Sequence, residues 1–135
     1  MELMNRIENL DLAHVADRLV NEAGFEEDIA MTATEMYKKF LYLRKVYVGE
    51  SLVPPRLVDE AWHEHILFTR NYTAICEDLY GSYMHHTPQP IRPTLEQMRG
   101  HSAGWERTKE LFQQEFGIDL ENSRVDGMRV AANSN

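Results

Sequence analysis

From about Pro55 to Tyr80 the chain is apolar on nearly every side of a helical projection, the longest such stretch in the sequence. A segment with so little polar face belongs at the centre of a fold, with other helices packed around it. The flanking segments share the helical spacing. Leu3, Ile7, Leu10, His14 and Val15 mark a helix from about Glu2 to Glu22, ended by Gly24. Ile29, Ala33, Met36, Tyr37, Phe40, Leu41 and Leu43 make a broad apolar stripe from about Glu26 to Tyr47. Period-two alternation is scarce, so no sheet of consequence is expected.

The breakers set the boundaries. Gly49 to Pro55 reads as a connector, with the Pro54-Pro55 pair opening the central helix. Gly81 closes it. The string SYMHHTPQPIRP then carries Pro88, Pro90 and Pro93, which cannot continue a helix. Loops of this length in small domains are commonly functional. Thr94-x-x-Gln97 is a capping-box signal for a further helix, which Gly100 and Gly104 are expected to interrupt. Trp105, Leu111, Phe112 and Phe116 resume an amphipathic stretch that ends at Gly117. The expectation is therefore an all-α, single-domain helical bundle of about four to five helices over residues 1–117. A Pro-rich loop follows the central helix. Residues 118–135 are expected to be a weakly structured tail, with VAANSN frayed.

The chain has 135 residues, one domain's worth and enough for a core without staples. A net charge of −8 argues against general nucleic-acid binding, which needs a basic face. Lys38, Lys39, Arg44 and Lys45 do cluster, and read as the solvated side of their helix. Cys76 is the sole cysteine, so no internal disulfide can form, which fits a reducing compartment. The N-terminal stretch mixes acids among its apolar residues and lacks the features of a secretory signal. No run approaches the ~18 apolar residues of a membrane span. A cytoplasmic location with no membrane partner is the expectation.

Four of the six histidines lie between residues 63 and 86. The central string VDEAWHEHILFTRNYTAIC is followed shortly by GSYMHH. Imidazole, carboxylate and thiolate are the usual ligands of zinc and other transition metals. On a helix Asp59 and His63, four apart, share a face. His63 and His65, two apart, diverge by ~200° and cannot bind one ion from a regular helix. His65 lines up instead with Trp62, Thr69, Tyr72 and Cys76. Asp59 and His63, met by His85 or His86 from the following loop, form the stronger candidate metal set, with His65 an uncertain member. Trp62, Tyr72, Cys76 and His85 are supporting candidates, and Trp62 reads first as a core anchor. For His65 the plainer alternative is a buried histidine satisfied by Tyr72 or Thr69.

Better-known motifs do not fit. His63-Glu64-His65 has the wrong spacing for the zincin HExxH. Glu60-x-x-His63 matches one element of di-iron bundles but has no second copy. Cys76, mid-helix among apolar residues, reads as an inert thiol before a nucleophile.

The run Asp59-x-x-Trp62-His63-x-His65, Tyr72, Cys76, Gly81 and His86 resembles the glycine-rich-domain-containing-protein-like family, over roughly residues 36 to 117. The resemblance implies which positions matter: Asp59, Trp62, His63, His65, Tyr72, Cys76 and His86. It implies no activity. The larger relatives' links to development, stress and RNA do not transfer, because this chain has no Gly-rich region.

Three functions compete. The first is binding of a small ligand or a divalent transition metal such as zinc around Asp59, His63 and His86. The second is a non-enzymatic interaction module for another protein, in which the motif is a structural polar network. The third is a metal-assisted enzyme with Glu60 or Glu64 as base.

Overall fold

The computed structural model describes residues 2–87 and 90–122, and the backbone of 124–125 and 128–129. Six helices account for its core: α1 (Glu2–Glu8), α2 (Ala13–Asn21), α3 (Glu27–Val46), α4 (Arg56–Ile66), α5 (Thr69–Tyr80) and α6 (Leu95–Phe116). Arg124–Val125 and Met128–Arg129 (β1 and β2) pair antiparallel, a two-residue ribbon and no more. The expected VAANSN tail lies outside the described residues. No described helix is long and apolar enough to cross a membrane.

The all-helical expectation holds, and the helix count rises because two expected helices each break in two. The first breaks at Asn9–Leu12, where Asp11 accepts from the Ala13 amide and Leu12 turns into the core. The second breaks at Leu67–Phe68, with no glycine or proline present. There the Phe68 ring stands edge-on to His14 of α2 at 4.4 Å, so a contact between elements replaces helix continuity.

In the other direction, Gly100 and Gly104 do not interrupt α6, which runs 22 residues. Gly104 is there for packing. A Cβ on it would lie 2.9 Å from Val53 Cγ2 and 3.0 Å from the Ser51 carbonyl oxygen. One turn on, the buried Thr108 hydroxyl donates to the Gly104 carbonyl and accepts from the Val53 amide. The connector before α4 is thus pinned to α6. At its start α6 carries the expected capping box, with Thr94 and Gln97 bonded reciprocally. Gly81 and Gly117 end α5 and α6 in left-handed conformations, φ 75° and 68°.

The centre of the fold is α3. Helices α1, α2 and α4 all pack on it, and it buries Tyr37, Phe40, Leu41 and Leu43 completely or nearly so. Helix α6 adds Leu111, Phe112 and Trp105, and the core extends to Leu120. The first turns of α6 differ in kind. Residues Leu95–Gly100 are all exposed, so this end of the helix projects beyond the body. Leu95 and Met98 on this end, and Ile91 in the loop before it, leave apolar side chains in solvent.

Candidate functional site: a closed hydrogen-bond junction

Trp62 and Tyr72 are ten residues apart, which would separate them by ~15 Å along an unbroken helix. The break at Leu67–Phe68 separates α4 from α5, and across it the two side chains meet. The Trp62 indole N–H donates to the Tyr72 hydroxyl at 2.8 Å, and that hydroxyl donates to the Met84 carbonyl at 2.5 Å. All three residues are buried. Burial raises the Tyr72 pKa, so the phenol stays protonated and can donate. Cys76 is buried beside that hydroxyl and adds to the rise of the Tyr72 pKa through a side-chain hydrogen bond.

His65 sits in a second chain of bonds. The Tyr37 hydroxyl lies 2.6 Å from His65 Nδ1, and Asn71 Oδ1 lies 2.7 Å from His65 Nε2. His14 Nε2 reaches the same Asn71 oxygen at 3.1 Å. An amide oxygen only accepts, so His65 and His14 both donate from Nε2, and His65 Nδ1 accepts the Tyr37 proton. His65 is thereby the neutral Nε2–H tautomer. Its burial, the largest cause, lowers its pKa, and the Asn71 bond opposes that shift. Burial also raises the Tyr37 pKa. Together Tyr37, His65, Asn71 and His14 tie α3, α4, α5 and α2 to one another.

Sequence spacing assigned His65 to Tyr72 or Thr69. That assignment is corrected: Thr69 is exposed, and Tyr72 gives His65 only an edge-on ring contact at 5.1 Å. The partners are Tyr37 and Asn71. With both ring nitrogens bonded inside the protein, His65 has no lone pair to offer an ion.

On the outer face of α4, His86 Nε2 lies 2.6 Å from Asp59 Oδ1. The expected return of the loop to Asp59 therefore occurs. The His86 ring packs on Trp62 at 4.3 Å, and the Arg44 guanidinium stands 5.7 Å from the same indole. His86 is largely covered, while half of the Asp59 side chain is in solvent. His63 is exposed, and His85, also exposed, packs on Tyr83. The structure thus joins Asp59 to His86 and brings neither His63 nor His65 to them. Among the described residues, no group of three or more His, Cys, Asp or Glu side chains is placed to hold a metal ion.

Two further polar contacts are not foreseen in the sequence, where Glu64 is weighed only as a base and Asn71 is given no role. Glu64, inside the motif, is nearly buried and accepts from Arg18 Nε at 2.7 Å across α2 and α4. Glu64 meets a partner 46 positions away, and Asn71 joins His65, six positions away across the helix break, to His14, 57 positions away. Among the described residues, no buried side-chain nitrogen or oxygen lacks a hydrogen-bond partner.

A family profile described as UCP032817-like matches residues 13–125, most of the chain and all of this junction. The chain belongs to the UCP032817-like family. That membership overturns the resemblance to the glycine-rich-domain-containing-protein-like family, and the site expectations drawn from it now rest on the residues alone. No curated protein matches the chain, and no solved structure does.

Proposed function

We propose that the protein is a non-enzymatic interaction module in which the Asp59-to-His86 motif is an internal latch. The observation that carries this reading is the closure of the junction. Trp62, Tyr72, His65 and His86 all bond to other parts of the same chain. A polar network whose members satisfy one another fixes a geometry and leaves little for a ligand to complete. What this latch fixes is the segment after α5. The Met84 carbonyl and the His86 ring are held on α4 and α5, so the chain leaves toward α6 from a set position. Apolar surface left in solvent, including Ile91, Leu95 and Met98, supplies the contacts a partner needs.

Thermal unfolding of untagged protein, with and without one equivalent of Zn²⁺, tests the reading. The latch predicts that His86→Ala and Tyr72→Phe lower the melting temperature while Zn²⁺ leaves that of the wild type unchanged. A stoichiometric rise with Zn²⁺ that vanishes in Asp59→Ala and in His63→Ala would overturn it and make this region a metal site.

A further inference from the structure

A groove of about 530 Å³ runs between α2 and α3, and none of its lining residues belongs to the bonded groups of the latch. Small side chains line it, Ala13 and Ala16 from α2 and Ala30 from α3. Val20 and Met31 form its apolar walls, and Met31 is 61% exposed. Met is the side chain that best adapts to an incoming apolar surface.

The rims carry charge of one sign. Asp11 and Asp17 stand on one side, Glu27 and Glu35 on the other. Lys38 is the single cation among the lining residues, and its ammonium is already engaged by the Glu8 carbonyl and by Glu35. Four carboxylates against one occupied ammonium leave a net acidic rim on both sides of an apolar lining.

The walls also limit the form of an occupant. Both are helices, whose backbone groups bond within themselves, so the groove has no strand edge to pair with an extended peptide. Recognition must come from side-chain packing. A trough lined with alanines between two helices accepts the side-chain ridge of a third.

We propose that the α2–α3 groove docks a basic amphipathic helical segment of a partner protein. Its apolar ridge lies on Ala13, Ala16, Ala30 and Met31. Its Lys and Arg side chains reach the carboxylates on both rims. This rests on the interaction-module reading and specifies the kind of partner.

The probe is a fluorescein-labelled peptide of Leu and Lys at helical spacing, about 15 residues or ~22 Å long. A matched peptide with Glu in place of Lys is the control. Anisotropy against the full chain should show binding of the Lys peptide and none of the Glu peptide. Ala16→Phe fills the groove without changing charge and should weaken binding at least tenfold. Met31→Gln, uncharged and at an exposed position where folding is not at stake, should weaken binding as well. Leu95→Gln on α6 should leave binding unchanged.

Absence of binding, or equal binding by wild type, Ala16→Phe and Met31→Gln, overturns the groove assignment. Loss confined to Leu95→Gln also overturns it, while leaving the module reading intact with its surface moved to α6. Failure of the module reading itself shows separately, as the stoichiometric Zn²⁺ shift in melting temperature described above.

Discussion

The α4–α5 junction and the projecting half of α6 are opposite solutions to the same problem. At the junction, Trp62, His65 and Tyr72 bury polar groups, and each is matched by a group from another element or loop. At the start of α6, apolar groups are exposed and nothing in the described chain covers them. Ile91 is 99% exposed, whereas Tyr72, which carries a hydroxyl, is 1% exposed. Polarity alone therefore does not sort this molecule into inside and outside. Hydrogen bonds made across elements allow polar side chains inside, and the length of α6 beyond the body keeps apolar ones outside.

Substitutions can break this contrast. The largest effect belongs to Trp62→Ala, which removes the ring under His86 and the donor to Tyr72. A loss of about 3–5 kcal/mol is expected for a core aromatic of this kind, against a change within about 0.5 kcal/mol for Leu95→Ala on the exposed stripe. Chemical denaturation of both variants checks the pair. Near-equal losses would mean that the α6 stripe is covered by something.

Tyr72→Phe should cost about 1–3 kcal/mol, because it strands the Trp62 N–H and the Met84 carbonyl. The signature is faster hydrogen exchange in residues 82–87, with the helices unchanged. Gly104→Ala forces a Cβ against Val53 and the Ser51 carbonyl, and overpacking of this kind costs about 1–3 kcal/mol.

His65 sharpens the contrast through pH. Its folded pKa is lowered by burial from an unfolded value near 6.5, so the folded state resists the proton that the unfolded chain accepts. Its contribution is complete above pH 6.5 and is lost as pH falls toward the folded pKa. Denaturation midpoints measured from pH 7.5 to 5 should drop on the acid side. His65→Gln, less stable overall, should show a shallower drop. An unchanged slope would mean that other groups cause it.

The smallest effect is a gain. Gly100 lies in the free half of α6, where an added Cβ would meet nothing within 4 Å, so Gly100→Ala should stabilise by about 0.5–1 kcal/mol. The same substitution thus changes sign four residues further on. Differential scanning calorimetry of the two variants is the check.

Much of this was legible in the sequence. The helical period and the breakers at Gly81, Thr94 and Gly117 gave the fold class and three helix ends, because capping and amphipathicity are local. The spacing paired Asp59 with His63 and left the His85-His86 loop free to return to either polar set, and the structure joins Asp59 to His86. What sequence could not show is the break at Leu67–Phe68. No residue there forbids a helix, and the packing of Phe68 on His14 decides it. That one bend turns Trp62 and Tyr72 into a bonded pair and gives His65 the partners Tyr37 and Asn71. The roles of Gly100 and Gly104 were hidden for the same reason: a glycine inside a helix reads alike whether its face meets solvent or a neighbouring backbone. Sequence determined which elements form; tertiary contacts decided where one of them bends, and with it which polar groups meet.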